Sequence, residues 1–111
     1  MRLESSDGKI FDVQEAVALQ SVMIKNVAED FGYEDPIPLP SVSSDILEKI
    51  IQYCTHHVDH PPRPMETQDD VDPWDVDFVK LDRSILFQLA LAAQYLDIMS
   101  LLYLVRSTNL L

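Results

Sequence analysis

The stretch SILFQLALAAQYL, residues 84–96, decides how the chain folds. At about 100° per residue, seven of its apolar side chains share one broad arc of an α-helix, which is the arc that a core-facing helix buries. The arc contains Ile85, Leu86, Leu89, Ala90, Ala92, Ala93 and Leu96. A narrower stripe opposite this arc consists of Phe87, Leu91 and Tyr95, with Gln88 on one side and Gln94 on the other. The stripe is either covered by Trp74, Phe78 or the last helix, or is the surface that a partner protein contacts.

Size and composition describe one globular domain. The 111 residues are 47% hydrophobic and include only two glycines, which is outside the range of disordered chains. The net charge of −11 leaves no basic stripe for nucleic acid and opposes binding to anionic membranes. Solubility explains this acidity more simply than steering toward a basic partner does.

The chain is expected to be soluble in a reducing, intracellular compartment. It has one cysteine, Cys54, so it cannot form an internal disulfide. Its first residues lack the apolar segment of a signal peptide, and no apolar run approaches the ~20 residues of a membrane span.

Strands are predicted only in the first part of the chain. Asp7-Gly8 lies between two short alternating segments, residues 2–4 and 10–13, and indicates a hairpin. Residues 14–20 indicate a short helical or irregular turn, and prolines confine residues 36–40 to a short third strand at a sheet edge.

Helices are predicted around and after the third strand. The first runs from a cap at Ser21 to a left-handed Gly32, with Ile24, Val27, Ala28 and Phe31 on its inner face. The second is capped by Ser43 and ends at His56 or His57, with Ile46, Leu47, Ile50, Ile51 and Cys54 on its inner face. Three more helices follow an acidic, proline-bearing and mobile loop at residues 58–72: one starts at Pro73 after a cap at Asp72, one is capped by Asp82, and the last is capped by Asp97. This order predicts a mixed α+β domain.

The chain offers little for catalysis or metal binding. Cys54, His56, His57, Asp59 and His60 are the right residue types for zinc, but their spacing is poor. Histidines near a helix end are explained better by the helix dipole, and the two adjacent histidines should point apart. Asp69, Asp70, Asp72, Asp75 and Asp77 are expected to be a solvated charge run, and Cys54 falls on an apolar helix face. We therefore expect no enzyme, no metal and no cofactor.

Several spaced strings resemble the Skp adaptor family of SCF (Skp–cullin–F-box) ubiquitin ligases. They are Ser5-Ser6-Asp7-Gly8, Pro38-Leu39-Pro40, Tyr53-Cys54-Thr55-His56-His57, Trp74-Asp75, Leu86-Phe87 with Leu89, Leu91-Ala92-Ala93 and Tyr95-Leu96-Asp97-Ile98. The resemblance covers nearly the whole chain. It implies the BTB/POZ fold over residues 1–111, with a small three-stranded sheet flanked by helices.

The resemblance also implies a function. A family member is a non-catalytic adaptor of the cytoplasm and nucleus that joins the N-terminal region of a cullin to an F-box substrate receptor. The cullin-binding residues that it implies are Phe87, Leu91, Gln94 and Tyr95, where Gln94 replaces the family's Asn. The implied F-box contacts are Leu101 and Leu102.

The F-box side departs from the family pattern. The family's further C-terminal helices are largely absent, Arg106 replaces a small Cys, Ser100 a Gly, and Ala90 a larger aliphatic residue. We therefore expect impaired F-box binding, in a shortened or divergent member or in an isolated domain of a longer one. The alternative is a BTB-type domain that forms homodimers through Phe87 and Leu91 and has no ligase role.

Overall fold

A computed structural model describes residues 1–32, 34–59 and 73–108 of the chain. It contains β1 (Arg2–Glu4), β2 (Ile10–Asp12), α1 (Glu15–Ala18), α2 (Val22–Phe31), β3 (Ile37–Pro38), α3 (Ser44–Asp59), α4 (Pro73–Phe78), α5 (Arg83–Leu96) and α6 (Met99–Thr108). This order confirms the predicted α+β domain. Within the described ranges, none of the helices combines the length and the apolar character needed to span a bilayer.

The three strands form one small sheet in the order β2-β1-β3. β1 pairs antiparallel with β2, and Leu3 faces Phe11. It pairs parallel with β3, and Leu3 also faces Ile37. The hairpin is confirmed, and Gly8 in its turn has a φ of 84°, a conformation that favours glycine. The proline-rich strand lies at an edge, as predicted, because proline cannot donate a ladder hydrogen bond.

Helix α2 is capped at its N-terminal end, and its last residue is exposed. The Ser21 hydroxyl accepts from the Ile24 amide at 3.2 Å, which confirms the predicted cap. Gly32 has the expected positive φ of 73°, but its ψ of −172° is not left-handed helical. Phe31 is 84% exposed, so its predicted place on the inner face is wrong. Phe31 lies at nearly the same angle around the helix axis as Ile24. It is, however, the last residue of the helix, about one turn beyond Ala28, which is buried.

Helix α3 begins beside the hairpin turn and is longer than predicted. The Asp7 carboxylate accepts from the Ser44 amide at 2.9 Å and from the Ser44 hydroxyl at 2.6 Å. A residue 37 positions earlier therefore binds the first turn, whereas Ser43 offers its carbonyl to the amide of Leu47. Val58 and Asp59 still belong to α3, so the predicted loop begins too early. Residues 60–72, which include the predicted cap Asp72 and most of the predicted loop, lie outside the described residues.

The ends of α5 differ from prediction. Asp82 occupies the N-cap position, but its side chain makes no capping hydrogen bond. Asp97 does not cap α6. It ends α5 in the left-handed conformation, with a φ of 57° and a ψ of 53°, and its amide donates to the Gln94 carbonyl. The core lies between the sheet, α3, α5 and α6, and its fully buried residues include Leu39, Leu47, Leu89, Leu96 and Leu101.

Candidate functional site

The candidate site is the outer face of α5, and three large apolar side chains stand out on it. Phe87 is 59% exposed, Leu91 53% and Tyr95 39%. They recur every fourth residue, so they follow one line along the helix. Ser84, Gln88 and Gln94 are the other exposed side chains between residues 84 and 96. At about 100° per residue, all six fall within an arc of about 120°.

The inner face of α5 holds this surface in place. Leu89, Ala93 and Leu96 are completely buried, and α5 packs against α3, α6 and α2. The Ser21 hydroxyl also donates to the Leu96 carbonyl, which ties the start of α2 to the end of α5. Because the core fixes the inner face, the stripe is a preformed surface.

Trp74 and Phe78 do not cover the stripe. Both pack on α3 instead, where their ring centroids lie 6.4 and 5.7 Å from that of Tyr53. They stack on each other at 5.0 Å, which confirms that they share a face. α6 packs on α5 without burying the stripe, so the stripe is exposed among the described residues.

The two predicted F-box residues lie in the core. Leu101 is completely buried and Leu102 is 6% exposed. Among the side chains of α6 whose burial the structure describes, the exposed ones are Met99, at 44%, Tyr103, at 57%, and Arg106. Sequence reasoning missed Met99 and Tyr103, although their spacing of four residues places them on one helix face.

A buried pair joins α3 to α4 and corrects two expectations. Nε2 of His57 donates to Oδ1 of Asp75 at 2.7 Å, and both residues are buried. Asp75 is therefore not part of a solvated charge run, because its carboxylate is buried and accepts this hydrogen bond from the imidazole. His56 stacks on Trp74 at 4.3 Å and lies 4.9 Å from His57, so the two histidines do not point apart.

The remaining candidates for catalysis or metal binding are the Cys54 thiol and the histidines near it. Burial raises the pKa of the Cys54 thiol to about 12, which keeps it protonated at neutral pH. In the part of the chain that the structure describes, no three His, Cys, Asp or Glu side chains are grouped to hold a metal ion. His60 lies outside the described residues.

One open cleft of about 410 Å³ lies between α1, the end of α3 and the start of α6. Three polar side chains line it, and each makes a hydrogen bond within the protein. Gln20 donates to the Cys54 carbonyl at 2.6 Å, His57 pairs with Asp75, and Ser100 accepts from the Tyr53 hydroxyl at 3.0 Å. The lining thus stabilises the fold and has no paired nucleophile and base.

Comparison with known proteins agrees with this architecture. The family model described as "Skp1 family, tetramerisation domain" matches residues 1–59, which contain the sheet and α1 to α3. SCF ubiquitin ligase complex proteins SKP1a and SKP1b of Dictyostelium discoideum are each 50% identical over 109 residues, covering 92% of this chain and 67% of the relative. SKP1-like protein 1A of Arabidopsis thaliana is 45% identical over 113 residues, covering 96% and 71%. More than half of the chain matches the family model, and the relatives extend the similarity to most of its length, so the chain belongs to the Skp1 family.

Proposed function

We propose that the protein is a non-catalytic adaptor of an SCF-type cullin–RING ubiquitin ligase, acting in the cytoplasm and nucleus. It would link the N-terminal region of a cullin to an F-box substrate receptor in ubiquitin-dependent degradation. The outer face of α5 is the observation that carries the proposal, because it exposes an aromatic and aliphatic row on a helix that the core holds in place. Membership of the Skp1 family supports the type of assembly.

The cullin contact is assigned to Phe87, Leu91, Gln94 and Tyr95. Aromatic side chains are enriched at the centres of protein interfaces, where burial is largest, and polar side chains are typical of the rim. Covering the exposed part of Phe87 or Leu91 would contribute on the order of 1 kcal/mol each. Gln94 is exposed at the edge of the stripe and offers an amide that can both donate and accept.

F-box binding is proposed to be weak. Leu101 and Leu102 point into the core, so neither reaches a receptor unless α6 moves. Among the side chains of α6 whose burial the structure describes, those that a receptor could contact directly are Met99, Tyr103 and Arg106. Titration of an F-box peptide should therefore give micromolar or weaker binding, and nanomolar binding would contradict this part of the proposal.

No chemistry is assigned to the adaptor itself. The polar side chains in the open cleft are engaged in hydrogen bonds, and the Cys54 thiol is buried and protonated. Both observations support a purely structural role in the ligase.

The cullin contact can be tested with two matched phenylalanines. Phe87 and Phe31 are both exposed, at 59% and 84%, but only Phe87 belongs to the stripe. Phe87→Ala and Tyr95→Ala should lose a cullin N-terminal region in a pull-down and keep a native far-UV circular dichroism spectrum. Phe31→Ala should retain it. Equal retention by all three variants would contradict the assignment of the stripe.

Self-association is the second candidate function. The matched family model is described as a tetramerisation domain, and this description favours contacts between copies of the chain. In that case Phe87 and Leu91 would form a contact between two copies. Light scattering at micromolar concentration distinguishes the two, because a homodimer doubles the mass without any partner and an adaptor remains at 12.7 kDa.

A further inference from the structure

The stripe on α5 has a basic residue at one end. Arg83 is the first residue of α5 and lies four positions before Phe87, so it continues the line of Phe87, Leu91 and Tyr95 toward the start of the helix. Its side chain is exposed. Counted at about 100° per residue, Arg83 widens the exposed arc of α5 from about 120° to about 140°. It therefore belongs to the same surface as the stripe.

Arg83 gives this surface a charge at its start and none along the rest of its length. It is the only charged residue in α5, and the next one along the chain is Asp97, which follows the helix and is partly buried. Asp82 is exposed and adjacent, but it lies about 100° from Arg83 around the helix axis, on the side away from the stripe. The apolar line is thus electrically polar from one end to the other.

No carboxylate in the part of the chain that the structure describes neutralises Arg83. Acidic residues are abundant, since the net charge is −11, yet none of the ion pairs between described residues includes Arg83. Asp77, six residues earlier, pairs with Lys80 instead. A guanidinium has five N–H donors in a planar fork that matches a carboxylate. These donors are available to a partner.

We propose that Arg83 forms an ion pair with a carboxylate of the partner that covers the stripe, and that this pair fixes the direction in which the partner lies along α5. The inference rests on the proposed function and names a specificity-determining residue of the same contact. A partner on the stripe removes water from around the guanidinium, and an acidic side chain compensates this loss through bidentate hydrogen bonds.

The position of the charge at one end of the line is what selects a direction. Arg83 and Tyr95 are twelve residues apart, which is about 18 Å along the helix. A partner placed in the reverse direction would cover the same apolar side chains, but it would leave Arg83 and its own carboxylate unpaired at opposite ends. Such unpaired charges disfavour the wrong arrangement more than the apolar contact can.

Substitutions of Arg83 test the ion pair. Isothermal titration calorimetry with a cullin N-terminal region that binds the parent chain should show about fivefold or more weaker binding for Arg83→Gln and about 30-fold or more for Arg83→Glu, which places two carboxylates together. Arg83→Lys keeps the charge without the planar fork and should weaken binding less than Arg83→Gln. Far-UV circular dichroism of all three should stay native, because the side chain is exposed.

Lys25 provides the matched control. It is exposed on α2, whose first residue, Val22, donates its amide to the Asp97 carbonyl at the opposite end of α5. Lys25→Gln and Lys25→Glu change the net charge as the substitutions of Arg83 do, and they should alter the Kd by less than about twofold. Equal weakening at the two positions would overturn the inference, because it would show an effect of total charge.

Charge reversal in the partner identifies the carboxylate and separates the inference from the function on which it rests. When each Asp and Glu of the cullin region is changed to Lys in turn, one variant should bind Arg83→Glu to within about threefold of the parent pair. Rescue by none of them, or unchanged or tighter binding of Arg83→Glu to the parent cullin region, would overturn the ion pair and leave the adaptor role standing. Failure of the parent chain to bind any cullin N-terminal region would overturn both.

Discussion

Helices α3 and α5 pack against each other in the core, but the exposed side chains on their outer faces differ in polarity. α3 has 16 residues and exposes Asp45, Glu48 and Asp59, together with Gln52, Thr55 and Val58. α5 has 14 residues and exposes Phe87, Leu91 and Tyr95, and its one charged side chain is Arg83 at its start. The inner faces are alike, since both bury rows of Leu, Ile or Ala. An inner apolar arc is what the fold requires, so only the difference between the outer faces carries information about partners.

The first prediction is that the two inner faces are equally important for stability. Leu47→Ala in α3 and Leu89→Ala in α5 should each lower the free energy of unfolding by about 2–5 kcal/mol, because each leaves a cavity in a completely buried position. Leu91→Ala on the outer face should cost less than about 1 kcal/mol, since its side chain is half-exposed. Urea unfolding followed by circular dichroism measures all three. An effect of Leu91→Ala as large as that of Leu89→Ala would mean that the stripe is covered.

The second prediction concerns the contact that joins α4 to α3. Asp75→Ala removes the carboxylate that accepts from buried His57 and should cost about 1–3 kcal/mol. Asp77→Ala, on the same short helix, should change stability by less than about 0.5 kcal/mol, because its ion pair with Lys80 is exposed. The difference in urea midpoint between the two variants tests this. Equal midpoints would show that the His57–Asp75 pair contributes no more than a surface pair.

The third prediction concerns the hydrogen bond that joins the start of α2 to the end of α5. Ser21→Ala removes a buried hydroxyl that both accepts from Ile24 and donates to Leu96, and it should cost about 1–2 kcal/mol. Ser84→Ala is the control, because Ser84 is exposed on the outer face of α5. Thermal unfolding of both variants should show a lower Tm only for Ser21→Ala. A Tm for Ser21→Ala equal to that of the parent would argue against this contact.

The smallest expected effect is a pH dependence at the start of α3. Hydrogen bonds from Ser44 and Ser5 lower the pKa of Asp7 from 3.8 to about 2. Because the folded value lies below the ordinary one, this contribution to stability is complete above pH 3.8 and is lost as the pH falls through about 2. Asp7→Asn should therefore lower the urea midpoint at neutral pH and have less effect near pH 2. Asp12→Asn serves as the control for an exposed carboxylate, and an equal pH response of the two variants would contradict the assignment.

The predictable parts of the fold are those that depend on neighbours in sequence. The hairpin follows from Asp7-Gly8, the cap of α2 from Ser21, and the edge position of β3 from its prolines. Errors fall where a distant residue decides the outcome. Phe31 has the right helical angle for the core but is exposed at the end of α2, and the first turn of α3 is bound by Asp7 rather than by a residue of its own segment.

The sequence predicted which residues share the outer face of α5, but it did not predict whether that face is exposed. Periodicity places Phe87, Leu91 and Tyr95 on one line, but it cannot distinguish a partner surface from a second buried face, since the same helix face can be covered or open. It also could not show that Leu101 and Leu102 point inward while Met99 and Tyr103 point outward, because α6 is apolar on nearly every side.

By itself, the sequence determined the class of fold and the line of side chains on α5, because turn residues, caps and helical period act over a few positions, and its spaced strings indicated the family. Only the tertiary structure decided that Trp74 and Phe78 pack on α3 and leave that line exposed, and that Asp75 is a buried partner of His57 rather than a solvated charge. The physical reason is that burial depends on which elements meet in space, and the helices that pack on α5 include α2 and α3, which come from much earlier in the chain.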